Sequence, residues 1–227
     1  TKSMRDQAVN HQSGDFNVGY DVNPKFSPDG KYIAWQSMKR NGYESDRNRL
    51  CVYELATGRK TYVTESFDSN VDDYTWSADS KSLYFIGVWH ATVNVYQTNL
   101  KGAVRQLTKG DHNYVSIALL GNKQLLGIRQ SISQPNEIYA ITPSKGNADS
   151  QQTQLTFENK HIFDQLALGE VKDRWVATSD GKKLQEWVIT PPHFDPNKRY
   201  PTLLFCEGGP QSPVSQFWSY RWNLQIM

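Results

Sequence analysis

Cysteine and methionine are scarce in this sequence, and neither sign of charge dominates. The 227 residues include 2 Cys and 3 Met, and 25 Lys and Arg stand against 23 Asp and Glu, for a formal net charge of +2. Such a balance argues against nucleic acid as an obligatory partner, because a strong basic excess is missing. No apolar stretch approaches the ~20 residues that a membrane span needs. Residues 1–4 show no signal-peptide core, so the sequence leaves the compartment open.

The two cysteines, Cys51 and Cys206, lie far apart in the chain. Each falls in a strand-like or apolar run, which predicts a buried free thiol at both positions. Neither a disulfide nor a metal site is expected from this spacing, and nothing in the sequence calls for a cofactor.

Aromatic residues, by contrast, are abundant. The chain has 7 Trp, 12 Tyr and 9 Phe, together with 15 Gly and 10 Pro. Aromatic side chains favour strands, and Gly and Pro favour turns. The composition therefore indicates a mainly β protein and argues against a helical bundle or a disordered segment.

An internal repeat organises the first two thirds of the chain. The string FSPDGK at residues 26–31 returns as WSADSK at 76–81, each followed by an apolar run, and a weaker third copy covers residues 115–156. The copies end at Thr64, Thr108 and Thr156, which are 44 and 48 positions apart. Four short strands in about 45 residues are typical of a β-propeller blade.

About three blades are therefore expected, and three blades do not close a ring, since propellers have about four to eight. One blade cannot bury both of its faces, so an incomplete propeller exposes apolar surface. We expect self-association of the isolated chain through this open edge. The polar loop at 38–49 would project from a blade, and Glu44 and Asp46 in it are candidate contacts for a substrate amino group.

The pattern changes after Thr156. Residues 175–190 predict a β-hairpin with an Asp-Gly turn, and TLLFC at 202–206 predicts a strand buried on both faces. That run meets Glu207, Gly208, Gly209 and Pro210, and glycines after a buried strand let backbone amides approach a ligand. A plain Gly-Pro turn leaving a core strand explains the same residues equally well.

The order of propeller, hairpin, apolar strand and Gly-Gly-Pro turn resembles the prolyl oligopeptidase family of serine peptidases. The resemblance covers essentially the whole chain, and the stretch from Glu207 through QFWSYRW at 216–222 is most similar to the dipeptidyl-peptidase 5-like branch. It implies a partial propeller at residues 1–160 and the first strands of an α/β-hydrolase domain at 161–227. The chain would then be a fragment of a serine exopeptidase that hydrolyses short peptides.

The family's catalytic serine lies in a Gly-x-Ser-x-Gly turn, and no serine of this sequence lies in that pattern. The resemblance therefore implies that these 227 residues lack the Ser-His-Asp triad and are inactive alone. It also implies that the turn at Glu207, Gly208 and Gly209 helps to stabilise an oxyanion. An ionised Glu207 only accepts hydrogen bonds, so the backbone N–H of Gly208 is the better donor. Glu207 would instead bind a substrate amine or face the propeller.

A TolB-like propeller that binds partners without catalysis is the alternative, since such propellers share the Ser-Pro-Asp-Gly repeat. The segment at 175–227 discriminates between the two, because it matches no further blade. A sialidase-type propeller ranks lower, because its turn needs a residue between Asp and Gly, whereas Asp29 and Gly30 are adjacent.

Overall fold

The repeat folds into three consecutive four-stranded antiparallel blades. A computed structural model describes residues 19–40, 46–146, 148–206, 208 and 212–227. Blades two and three are linked by a single parallel pair, Val93 with Asn113. The first blade contains β1 (Asp21–Phe26), β2 (Tyr32–Ser37), β3 (Arg49–Glu54) and β4 (Lys60–Tyr62). The second contains β5 (Val71–Trp76), β6 (Ser82–Trp89), β7 (Thr92–Asn99) and β8 (Val104–Gln106). The third contains β9 (Asn113–Leu120), β10 (Gln124–Ser131), β11 (Gln134–Thr142) and β12 (Gln151–Gln154).

The repeated Ser-x-Asp motif closes the first turn of blades one and two. In blade one, Ser27 Oγ donates to Asp29 Oδ1 over 2.7 Å, and the backbone N–H of Lys31 donates to the same oxygen over 3.1 Å. Blade two repeats both bonds at Ser77 and Asp79 with the same distances. Hydrogen bonds from the serine and the backbone hold the pKa of Asp29 and of Asp79 below the ordinary value. In blade one, Ser80 Oγ of blade two also accepts the backbone N–H of Asp29 over 3.1 Å, so this turn combines local hydrogen bonds with one bond to the neighbouring blade.

The threonine that ends each copy of the repeat accepts a backbone hydrogen bond within its blade. The hydroxyl oxygens of Thr64, Thr108 and Thr156 accept the backbone N–H of Leu50, Val95 and Ile138, over 2.8, 2.9 and 2.8 Å. Each donor lies in the third strand of its blade, where the short fourth strand has already ended. The side chain thus replaces a strand partner and satisfies an amide that would otherwise lose its hydrogen bond.

Two clusters of buried side chains hold the blades together. Between blades one and two, the core includes Leu50 and Val63 from the first and Tyr74, Trp76 and Phe85 from the second. A second cluster, with nine buried side chains among the described residues, joins blades two and three. Tyr74 Oη also donates to Ala34 O over 2.9 Å, and Trp76 Nε1 donates to Lys25 O over 3.1 Å. The aromatic abundance therefore fills blade interfaces, where the polar tips find backbone acceptors.

A short connector and a separate hairpin follow the blades. The connector contains one helical turn, α1 (Lys160–Phe163), and the hairpin pairs β13 (Val171–Ala177) with β14 (Lys183–Ile189). Thr178 Oγ1 donates to Asp180 Oδ1 over 2.5 Å, so the hairpin turn repeats the motif of the blades. No helix in the described part of the chain is long and apolar enough to cross a membrane.

The prediction of a buried strand at 202–206 is wrong. These residues form no regular strand, and Leu203 and Leu204 are 72% and 84% exposed. A strand buried on both faces needs neighbouring strands on both sides, and the described residues pair none with it. The buried-thiol prediction fails at Cys206 for the same reason, since that side chain is exposed. At Cys51 it is confirmed, and burial raises the pKa of the Cys51 thiol to about 12.

Both ends of the blade stack expose apolar side chains. At the first blade, Tyr20 and Phe26 are 55% and 65% exposed. At the third blade, Val115, Ile128 and Ile138 are exposed as well. These faces correspond to the open edge that the incomplete repeat predicts.

Candidate functional site

The glycine turn that follows residue 206 is the main candidate site, and only part of it is described. Glu207 and Gly209 lie outside the described residues. Gly208 is exposed, and a Cβ added to it would meet no heavy atom within 4 Å. A side chain at this position would therefore meet no steric obstacle.

The residues after the turn are anchored on the third blade. Asn113 Nδ2 donates to Ser215 Oγ over 2.9 Å, and the backbone N–H of Ile132 donates to Gln216 Oε1 over 3.2 Å. Gln216 is only 2% exposed, so its amide acts as a buried cross-link. These two bonds therefore tie residues 215 and 216 to the third blade.

A second cross-link ties the C-terminal segment to the start of the hairpin. Gln225 Oε1 accepts the backbone N–H of Gly169 over 2.8 Å, and Gln225 Nε2 donates to Gly169 O over 3.1 Å and to Ser133 Oγ over 2.9 Å. A Cβ at Gly169 would lie 1.9 Å from Thr190 O, so only glycine fits there. One glutamine thus joins the blade, the hairpin and the last segment.

Sequence reasoning missed these positioning residues. Gln216 and Gln225 lie in a run rich in aromatic residues, and glutamine is more often exposed than buried. Their isolation among apolar neighbours was the available signal, but it does not identify their partners. Asn113, on a strand distant in sequence, offered no signal at all.

The second candidate site is the loop after β2, of which Asp46 is described and Glu44 is not. The Asp46 carboxylate accepts the backbone N–H groups of Lys39 and Arg40 over 3.0 and 2.6 Å. It also accepts Arg40 Nε over 3.0 Å and Nη2 over 2.7 Å. The Arg40 side chain first, with the two backbone donors, holds the pKa of Asp46 below its usual range despite some burial. Asp46 therefore closes its own loop, and its contact with a substrate stays a prediction.

Comparison with known proteins finds relatives of this chain. No protein-family model matches the chain. It is 47% identical to dipeptidyl-peptidase 5 of Porphyromonas gingivalis over 218 residues, covering 96% of this chain and 31% of that protein. Dipeptidyl-peptidase 5 of Porphyromonas endodontalis is also 47% identical, over 92% of this chain and 30% of that protein. Along nearly its whole length the chain is therefore similar to the dipeptidyl-peptidase 5 branch of the prolyl oligopeptidase family. It spans about a third of the length of these relatives.

Solved structures of the family share the fold at lower sequence identity. Dipeptidyl peptidase 4 of Porphyromonas gingivalis aligns with a TM-score of 0.62 at 18% identity, over 89% of this chain and 28% of that chain. Acylaminoacyl peptidase of Pyrococcus horikoshii aligns with a TM-score of 0.58 at 23% identity, over 72% of this chain and 24% of that chain. At these sequence identities the structural similarity shows a shared fold and does not establish a shared activity or substrate.

Proposed function

We propose that this chain is part of a longer serine exopeptidase that removes N-terminal dipeptides or acylated residues from short peptides. The observation that carries the proposal is the 47% identity to dipeptidyl-peptidase 5 along nearly the whole chain. In this proposal, residues 1–160 belong to the propeller, which narrows access to the active site. Residues 161–227 begin the peptidase domain, and the Ser-His-Asp triad lies outside this sequence.

The reaction we propose is acyl transfer to water. A serine hydroxyl attacks the scissile carbonyl, the amine leaves with a proton from the histidine, and water then releases the acyl group. The turn at Glu207, Gly208 and Gly209 contributes by donating a backbone N–H, that of Gly208, to the oxyanion. The exposure of Gly208 supports this role, because glycine has no side chain to shield its backbone from a substrate.

The oxyanion role has a matched pair of variants in the full-length protein. Gly208→Pro removes the N–H, whereas Gly208→Ala keeps it and adds a methyl group into open space. We expect kcat of Gly208→Pro to fall about 10²- to 10³-fold, which is the usual effect of losing one oxyanion donor. Gly208→Ala should stay near the wild-type value, with circular dichroism showing that both variants are folded. Equal rates for the two variants would refute the role.

Amine recognition is proposed for Glu207, with Glu44 and Asp46 as further contacts from the propeller. Glu207→Gln should raise KM for dipeptidyl substrates with a free amino terminus and leave KM for N-acylated substrates unchanged. Glu44→Gln and Asp46→Asn should do the same where these side chains contact the substrate. A uniform loss of activity on both substrate types would instead indicate a general structural effect.

The peptidase assignment itself is tested with dipeptidyl chromogenic substrates and a fluorophosphonate probe. We expect the full-length protein to react with both and the 227-residue chain to react with neither. A full-length protein inert to both reagents would overturn the proposal. Such a result would favour the alternative of a TolB-like binding propeller, against which stands the separate two-stranded hairpin after the third blade.

A further inference from the structure

A cleft lies where the second blade, the loop before the third blade and the hairpin meet. It has a volume of about 270 Å³ and is separate from the turn and the loop described above. Pockets that hold whole small ligands measure about 300–1,000 Å³, so this cleft suits a single side chain. Its walls include Trp89, His90, Lys109, Asp111, Asp173 and Trp175.

Three aromatic rings form one side of the cleft. His90 stacks on Trp89 with ring centroids 4.8 Å apart, and it meets Trp175 of the hairpin edge-on at 5.3 Å. His90 and Ala91 have φ of +50° and +52°, a left-handed conformation that is unfavourable for residues with a Cβ. The turn therefore holds His90 in place at a conformational cost. The two indoles remain 46% and 44% exposed, so ring faces are available to a ligand.

The charges around these rings are not balanced. Asp173 Oδ2 accepts only the neutral N–H of Trp175, over 3.2 Å, and forms no ion pair within the described part of the chain. Asp111 has neither a hydrogen bond nor an ion pair to any residue that the structure describes. Lys109 is neutralised by Asp149 at 2.9 Å. Two carboxylates beside exposed indoles thus lack a cation.

We propose that this cleft binds the guanidinium group of an arginine side chain on a peptide. A guanidinium stacks on aromatic faces and pairs with carboxylates, which are the two chemistries that the cleft presents together. A neutral side chain of the same shape gains neither interaction, and an anion is repelled. The inference concerns binding alone and does not depend on the proposed peptidase activity.

The test compares N-acetyl-arginine amide with N-acetyl-citrulline amide, which has nearly the same shape but no charge. Each probe is titrated into the complete 227-residue chain, and binding is followed through the NMR signals of the indole N–H groups. We expect the arginine probe to shift the Trp89 and Trp175 signals in a saturable manner and the citrulline probe to bind about tenfold more weakly. Equal binding of the two probes, or no saturation up to about 10 mM, overturns the proposal.

Variants locate the site. Replacing both carboxylates, Asp111→Asn with Asp173→Asn, should weaken the arginine probe about tenfold and leave the citrulline probe unchanged. Glu170→Gln is the matched control, because Glu170 is an exposed carboxylate at the base of the same hairpin, paired with Lys172 at 2.8 Å and outside the cleft. It should bind the arginine probe as the wild type does. An equal loss in the control would show that the effect is the overall charge, which refutes the site.

Discussion

Thr108 tests whether the closing threonine of a blade stabilises the sheet through its hydroxyl group. Its side chain has no exposure to solvent. Thr108 Oγ1 accepts the backbone N–H of Val95 over 2.9 Å and donates to Asn94 Oδ1 over 2.9 Å. Valine has almost the same shape without the hydroxyl, so Thr108→Val removes both bonds and leaves the packing nearly unchanged.

The expected loss follows from the groups that stay buried. The N–H of Val95 is left without an acceptor, which costs about 1–3 kcal/mol, and the Asn94 carbonyl loses a donor, which costs about 1 kcal/mol more. Thr108→Val should therefore lower the free energy of unfolding by about 2–4 kcal/mol. Thr108→Ser keeps the hydroxyl and loses one methyl group, for about 1 kcal/mol. Among the residues that the structure describes, the Thr64 hydroxyl accepts the Leu50 N–H and has no second partner, so Thr64→Val should cost about 1–3 kcal/mol.

Urea unfolding followed by tryptophan fluorescence measures these differences, provided that the m-value is unchanged between variants. For a chain of this size, each kcal/mol also lowers Tm by roughly 2–4 °C. The expected order of loss is Thr108→Val, then Thr64→Val, then Thr108→Ser. If Thr108→Val is no less stable than Thr108→Ser, the hydroxyl does not contribute as argued and the repeated threonine needs another explanation.

Three further predictions concern other parts of the chain. Burial alone would raise the pKa of Glu137, but hydrogen bonds from Thr156, Asn159 and Glu158 lower it overall. Glu137→Gln should therefore lower the free energy of unfolding above about pH 5. This difference in stability from the wild type should vanish as the pH falls through the lowered pKa. A pH series of urea titrations checks this, and a difference that grows in acid would contradict it. A thiol reagent should modify Cys206 and spare Cys51 in the native chain, because only Cys206 is exposed; mass spectrometry of the labelled peptides would reveal the opposite pattern. The isolated chain should self-associate through the exposed apolar faces of its terminal blades, and light scattering that finds only monomer at high concentration would contradict this expectation.

Local patterns predicted the blades well, because the Ser-to-Asp hydrogen bond of each repeated motif forms between residues two positions apart. Ser27 and Asp29 contact each other two residues apart, and the same spacing serves Ser77 and Asp79. Strands joined by such turns pair with their sequence neighbours, so their order follows from the chain. The prediction of a strand at 202–206 was wrong because an apolar run does not specify which strands it pairs with. No strand among the described residues pairs with it.

The candidate sites show the same division. The glycine turn was recognised from the sequence, because consecutive glycines after an apolar run form a local pattern. The cross-links of the segment that follows were not visible, because Gln216 and Gln225 contact residues 84 and 92 positions away. Asp46 was identified from the sequence as an acidic loop residue. Its hydrogen bonds with the Arg40 side chain were not predicted, because they depend on the conformation of the chain between the two residues.

The sequence by itself determined the repeat, the turns and the family to which the chain is related, because these depend on neighbours within a few residues or on similarity along the chain. Only the tertiary structure decided which side chains meet across blades: the aromatic residues at the interfaces, the glutamines under the last segment, and the cleft that joins Trp89 to Trp175. The reason is physical. A contact between distant segments depends on the packing angles and distances of whole sheets, and no local spacing in the chain encodes these.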